Sequence, residues 1–135
     1  MYYWGSTSTV YTDINVVDFK SGTSGRINIH LHDLYNLKEG DYFIGESNGN
    51  RGFHSNPWPN FYCRVLDSET QTIKRYFSVE EGGIITITRF DLDNRIVSGI
   101  FNGRAANINN PTDIIEITEG RFDINWEELP GIQFP

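Results

Sequence analysis

Apolar and polar residues alternate in short runs along the chain, and clusters of Gly, Asn and Asp separate these runs. In the clearest run, Arg26 to His32, every second residue is apolar: Ile27, Ile29 and Leu31. Alternation with a period of two predicts a β-strand with one buried face and one solvated face. The intervening residues of this run are expected to face water: Arg26, Asn28, His30 and His32.

Further short runs of the same kind are Val10 to Phe19, Asp41 to Gly45, Asn60 to Leu66, Ile73 to Val79, Ile84 to Phe90, Ile96 to Phe101, Asp113 to Thr118 and Arg121 to Trp126. No segment has the three-and-four spacing of an amphipathic helix. About nine short strands predict an all-β fold, a single antiparallel β-sandwich or, as the alternative, a small β-barrel. A chain of 135 residues fits a single domain over residues 1–135.

Three short polar segments predict hairpin turns: DSETQ at 67–71, EEGG at 80–83 and DLDN at 91–94. With these turns, residues 60–101 form a four-strand meander. The longest irregular segment is Glu46 to Pro59, and loops of this length often carry function. The C-terminal ELPGIQFP contains two prolines and is expected to lie outside the central strands.

The net charge of −7 and the pI near 4.8 would repel phosphate backbones and anionic lipid surfaces. Nucleic acid is therefore not an expected partner. No apolar run has the length of a membrane-spanning helix, and the N-terminal MYYWGSTSTVY lacks the features of a signal peptide. The single Cys63 excludes an internal disulfide and a thiolate zinc cluster, and its neighbours predict a buried, inert thiol.

Two groups of residues resemble parts of metal sites. Asp91, Asp93 and Asn94 resemble the start of a calcium loop, but Asn102 stands at the twelfth position, where an EF-hand needs Glu. Asp and Asn also form turns without a metal, so a hairpin turn is the preferred interpretation and a weak calcium site the alternative.

His30 and His32 have the spacing that aims two imidazoles at one zinc ion, and only His54 is left as a third histidine. No Gly-x-Ser-x-Gly elbow or phosphate-binding loop is present, and Glu116 and Glu119 are a carboxylate pair of a kind that any acidic protein contains. We therefore predict no catalytic residue, no metal site and no cofactor.

Aromatic residues form two clusters, Tyr2 to Trp4 and a second group around the long loop. Exposed aromatic rings stack on sugars and anchor protein partners. The predicted ligand-binding residues of the second group are Arg51, Phe53, His54, Trp58 and Tyr62. The preferred interpretation is that these aromatics cap the ends of a small β core, and a ligand or partner rim around Trp58 is the sharper alternative.

The segments GGIITITRFDLDNRIVSGIFNGRAAN and IIEITEGRFDI follow one another in the C-terminal half. Together they resemble a family of Bacteroidota cell-envelope lipoproteins that contains a domain of unknown function, with a match from Gly83 to Ile124. LKEGDYFIG, residues 37–45, is similar to a strand entry of the same family. The resemblance implies an all-β fold, export to the cell envelope, a lipid anchor on an N-terminal cysteine outside this segment, and no established activity.

Two residues depart from the family pattern, Ile100 in place of Thr and Gly103 in place of an aromatic residue. In a regular strand five residues share one face: Val97, Gly99, Phe101, Gly103 and Ala105. Phe101 is then the core anchor, and the two glycines leave room for a neighbouring large side chain. We predict a strand with a local irregularity, and the alternative is a bend at Asn102-Gly103. Gly120 is expected to allow a tight turn before the last strand.

These patterns predict a non-enzymatic globular domain of an exported cell-envelope lipoprotein, with a binding or structural role through an aromatic loop rim. The expected partner is a protein or a glycan, the chain is expected to be a monomer, and the membrane is reached only through the lipid anchor. The alternatives are a hydrolase or metal-dependent site on the long-loop rim, and assembly through an edge strand.

Overall fold

The computed structural model of the protein describes residues 2–5, 11–18, 25–32, 37–47 and 58–125. These residues form eight strands: β1 Tyr2–Gly5, β2 Tyr11–Asp18, β3 Gly25–His32, β4 Gly40–Ile44, β5 Asn60–Asp67, β6 Thr72–Asp91, β7 Ile96–Asn107 and β8 Asn110–Asn125. The all-β prediction is therefore confirmed. Within the described ranges no helix has the length and apolar character needed to cross a membrane.

The strands form one antiparallel sheet in the order β1-β2-β3-β5-β6-β7-β8, and β4 pairs with β6 beside this path. The sheet curls into a half-barrel. Its inner face carries the core, whose buried apolar members are Ile29, Leu31, Leu37, Ile44, Phe61, Cys63, Tyr76, Ile85, Ile87, Val97, Phe101, Ala105, Phe122 and Ile124. Because the members come from strands β3 to β8, and Leu37 from the segment just before β4, the core is continuous across the curled sheet.

The segment EEGG is a bulge inside β6 and not a hairpin turn, so the prediction of a four-strand meander is wrong. The pairing of β6 with β7 shifts between Ser78 and Gly83, and β6 continues on both sides of the shift. Glu81 and Gly83 have φ angles of 54° and 139°. These left-handed conformations accommodate the extra residues without reversing the chain. The first half of β6 then pairs with β5 and the second half with β4.

The segment predicted to turn at Gly120 is also continuous strand, within β8. Gly120 pairs with Phe101 of β7, and a Cβ atom at this glycine would overlap the Phe101 ring. The prediction of a turn is wrong because this glycine makes room for an aromatic ring and does not reverse the chain.

The predicted inner face of β7 is confirmed, since its five residues are all buried: Val97, Gly99, Phe101, Gly103 and Ala105. A Cβ atom at Gly99 would lie 2.5 Å from the Phe122 ring, and one at Gly103 would lie 2.5 Å from the Phe61 ring. The pairing with β8 shifts between Phe101 and Gly103, while β7 continues to Asn107. The prediction of a strand with a local irregularity is therefore confirmed, and the alternative of a bend that ends the strand at Asn102-Gly103 is wrong.

The polar side of β3 is not solvated as predicted. Asn28 is 1% exposed and His30 is 2% exposed, as buried as the apolar Ile29 and Leu31 on the other face. β3 lies inside the sheet between β2 and β5, where His30 pairs in register with the buried Asn60. Alternation identifies the apolar face of a strand, but it does not show whether the polar face is covered as well. The side chain of His32 lies outside the described part of the chain.

Candidate functional site

The carboxylate of Asp91 is part of the hairpin turn between β6 and β7. Asn94 donates its backbone N–H to Asp91 Oδ1 at 3.0 Å and its side-chain amide to Asp91 Oδ2 at 2.7 Å. These bonds, with a weaker one from Arg89, hold the pKa of Asp91 below its ordinary value. The turn prediction is confirmed. Among the described residues no three His, Cys, Asp or Glu side chains lie close enough together to hold a metal ion.

Cys63 lies in the core on β5, and burial raises the pKa of its thiol to about 12. Because the thiolate is the reactive form, this cysteine is the inert buried thiol that the sequence predicts.

Three of the predicted binding residues, Arg51, Phe53 and His54, lie outside the described residues. Tyr62 is half-buried on β5 and packs edge-on against Phe77 of β6, with 6.1 Å between the ring centroids. It does not line the groove that contains Trp58.

Trp58 is held in one orientation just before β5. Its indole Nε1 donates a 2.8 Å hydrogen bond to the backbone oxygen of Glu46, and the ring lies against Gly45 so closely that a Cβ atom there would overlap it. Gly45 in turn donates its N–H to the backbone oxygen of Pro59 at 2.8 Å. The side chain is still 42% exposed. An immobilised, partly exposed indole loses little conformational entropy when a ligand covers it.

The exposed face of Trp58 opens into a groove of about 730 Å³ on the outer surface of the sheet. Phe43 of β4, Ile84 of β6 and Asn102 of β7 lie next to one another in register across its floor. Phe43 is 76% exposed, the highest fraction among the large apolar side chains that the structure describes. We call the surface formed by Phe43, Trp58, Ile84, Ile100 and Asn102 the outer groove.

Ile84 and Asn102 also line an adjoining groove of about 420 Å³ that continues to Ile100 and Arg121. Ile100 is 52% exposed. Polar side chains surround this surface: Glu81 lines the part with Trp58, and Glu119 and Arg121 line the part with Ile100. Thr86 Oγ1 donates a hydrogen bond to Asp41 Oδ1 at 2.7 Å, and in a neighbouring hollow Arg104 Nε lies 3.4 Å from Glu116 Oε1. The outer groove therefore has a mainly apolar floor and a polar rim.

No family model, curated protein or solved structure matches this chain. The resemblance to the cell-envelope lipoproteins therefore stays a prediction.

Phe43 and Ile100 of the outer groove are not among the predicted binding residues, although the sequence contains a signal for each of them. Phe43 stands at an outward position of the strand that begins at Asp41, where alternation leads one to expect a polar residue. Ile100 is one of the two positions at which the chain differs from the pattern that it resembles, since the pattern has Thr there. Apolar residues that lie next to one another at outward strand positions indicate a contact surface, because soluble proteins rarely expose large contiguous apolar patches.

A pH-dependent interaction lies near the turn between β7 and β8. The Asp113 carboxylate oxygen Oδ2 accepts hydrogen bonds from Asn107 Nδ2 at 3.1 Å and from Tyr76 Oη at 2.9 Å. Both bonds hold the pKa of Asp113 below its ordinary value of 3.8. Because the folded pKa is the lower one, the stabilisation is complete above about pH 3.8 and is lost as the pH falls through the folded value.

We therefore expect the destabilisation caused by Asp113→Asn, measured by urea denaturation, to shrink as the pH falls from about 5 to about 2. Asp93→Asn, in an exposed turn, controls for the loss of one negative charge. A difference between wild type and Asp113→Asn that stays constant over this range would contradict the prediction.

Proposed function

We propose that this chain is a non-enzymatic binding domain of an exported cell-envelope protein and that the outer groove binds a protein partner. The observation that carries the proposal is the pairing of an immobilised Trp58 with the highly exposed Phe43 on one open surface. Both residue types are enriched at the buried centre of protein interfaces.

The outer groove has the composition of an interface centre. Burial of apolar surface stabilises a complex by about 25 cal/mol per Å², and Phe43, Trp58 and Ile100 all retain large exposed fractions in the free chain. The ion pair Arg104–Glu116 lines a hollow that shares Asn102 with the outer groove. Both side chains are exposed, so the pair supplies little affinity, but it can select the partner.

A protein is favoured over a glycan by the aliphatic members of the groove. Sugar rings stack on flat aromatic faces and need polar groups beside them. Ile84 and Ile100 are branched aliphatic residues at the centre of the surface, where they add apolar contact area for a protein but no stacking face for a sugar.

The non-enzymatic character is supported by the acidic residues around the groove. Glu81 lines the part of the groove with Trp58 and Glu119 lines the part with Ile100, and neither part contains both carboxylates. A hydrolase needs two carboxylates that converge on one bond. The alternative of a hydrolase or metal-dependent site on the long-loop rim depends on residues 48–57, which lie outside the described ranges.

We expect Phe43→Ala and Trp58→Ala to weaken partner binding by about 2 kcal/mol or more, as truncation of aromatic interface anchors does. Phe43→Ala should leave stability nearly unchanged because the side chain is mostly in water. The immobilised wild-type domain would be used to isolate its partner from an envelope fraction, and the purified partner would then be titrated against each variant by calorimetry.

Leu92→Ala is the matched control, since Leu92 is another exposed large apolar residue but lies in the turn between β6 and β7. A partner that binds wild type, Leu92→Ala and Phe43→Ala equally well would overturn the proposal. Binding on a glycan array that Trp58→Ala abolishes and Phe43→Ala leaves intact would replace the protein partner by a carbohydrate ligand.

A further inference from the structure

Three arginines lie side by side on neighbouring strands far from the outer groove. In register, Arg26 of β3 pairs with Arg64 of β5, and Arg64 pairs with Arg75 of β6. Directly paired residues of antiparallel strands project from the same face, with Cβ atoms about 5 Å apart. We call these three residues the arginine row. All three project from the outer face, because Cys63 and Tyr76, their neighbours along the strands, belong to the core on the inner face.

The arginine row is not neutralised by carboxylates in the part of the chain that the structure describes. The ion pairs there involve other cations: Lys74 with Asp67, Arg89 with Asp91, and Arg104 with Glu116. The position that pairs with Arg26 on β2 is Val17, so the row does not continue into an acidic residue. This arrangement stands out in a chain whose net charge is −7.

Like charges placed directly opposite one another destabilise a sheet. Arg64 is at the centre of the row, with a cation on each side, and its Nε atom is buried without a hydrogen-bond acceptor among the described residues. A buried donor without an acceptor costs free energy as well. An anion that lies against the row offsets the repulsion between the like charges.

The surroundings of the row are apolar on β5 and β6, whereas on β3 the buried polar Asn28 follows Arg26 on the same face. Two residues along the strands, Tyr62 and Phe77 pack edge-on against each other on one side. On the other side lie Leu66 and the exposed Ile73. Apolar neighbours lower the local dielectric constant and strengthen the attraction between a guanidinium group and an anion.

We propose that the arginine row binds a multivalent oxyanion, that is, a ligand with two or more carboxylate, sulfate or phosphate groups. The planar fork of a guanidinium group matches the geometry of these anions and binds them through two parallel hydrogen bonds. Three adjacent forks span about 10 Å, since strands lie about 4.8 Å apart, so a ligand with several anionic groups can engage more than one arginine. This site is independent of the outer groove and of its proposed partner.

Calorimetric titration of the full chain with inorganic pyrophosphate, citrate and sulfate tests the site at about 10 mM ionic strength, where screening is weak. Wild type is expected to bind pyrophosphate or citrate more tightly than sulfate. Arg64→Gln should weaken the binding about ten-fold or more. The matched control Arg89→Gln removes the same charge from the far end of β6 and should bind like wild type.

Thermal unfolding separates binding from a structural role. Without added anion, Arg64→Gln is expected to unfold at the same temperature as wild type or a higher one, because it removes repulsion between like charges. With pyrophosphate, only wild type should gain stability.

Arg75→Gln, at the exposed end of the row, provides a second variant and should also weaken binding. Absence of binding to all three anions, or equal weakening in Arg64→Gln and Arg89→Gln, would overturn the proposal. If sulfate bound as tightly as pyrophosphate, the proposal that the ligand carries two or more anionic groups would be wrong.

Discussion

Replacement of Phe122 by alanine is expected to destabilise the fold by about 3–5 kcal/mol, the range found for truncation of a buried Phe. Phe122 is 1% exposed on β8, its ring lies 6.5 Å from that of Phe101, and it occupies the space that Gly99 leaves on β7. The truncated side chain would leave a cavity that the paired strands β7 and β8 cannot close by a small shift. Urea denaturation followed by circular dichroism measures the loss.

Phe43→Ala is the control, because it removes the same atoms from a position that is mostly in water. We expect the change in its unfolding free energy to stay within about 0.5 kcal/mol. Similar losses for Phe122→Ala and Phe43→Ala would show that the half-barrel is not held together by its inner face.

Gly83→Ala is expected to destabilise the protein by about 2–6 kcal/mol, the sum of backbone strain and overpacking. Gly83 ends the bulge of β6 with a φ angle of 139°, which L-residues rarely adopt. A Cβ atom at this position would also overlap the backbone oxygen of Asn102 and would lie 2.7 Å from the Cα atom of Gly103. Because these are backbone atoms of the paired strand, they cannot move without breaking the pairing of β6 with β7.

Variants of two further glycines separate the effect of backbone strain from that of overpacking. Gly40 has a φ angle of 135°, but a Cβ atom at this position would meet no other atom within 4 Å, so Gly40→Ala tests strain alone and should cost about 1–3 kcal/mol. Gly25 has no positive φ angle, and a Cβ atom there would meet no other atom within 4 Å. Gly25→Ala should therefore be neutral or slightly stabilising. Equal unfolding free energies for the Gly83 and Gly25 variants would contradict the bulge geometry.

The inner face was largely predictable, and β7 is the clearest case. Alternation alone placed Val97, Phe101 and Ala105 on one face, and the two glycines between them predicted space for large neighbours. The rings that fill this space, those of Phe61 and Phe122, come from β5 and β8. Their identity depends on strand order, which a single run of residues does not contain.

The two errors about chain reversal have a common origin at glycines. EEGG and Gly120 have the composition of turns, but they lie inside the long strands β6 and β8. Glycine supplies either a left-handed backbone or an absent side chain, and only the neighbouring strand shows which property is used. The same limit applies to the outer groove, since Phe43, Trp58 and Ile84 come from three separate segments.

The sequence by itself determined that the chain is an all-β domain, which residues face the core on most strands, and where two turns lie. In these turns the Asp67 carboxylate accepts the backbone N–H of Glu69 and the Asp91 carboxylate accepts that of Asn94. These features depend on neighbours along the chain. The tertiary structure decided that β6 and β8 are continuous, that the polar side of β3 is covered, and that Phe43 and Trp58 share a surface. It also decided that Arg26, Arg64 and Arg75 form a row. These features depend on which strands pair and in which register, and pairing over long distances is set by the packing of the whole sheet.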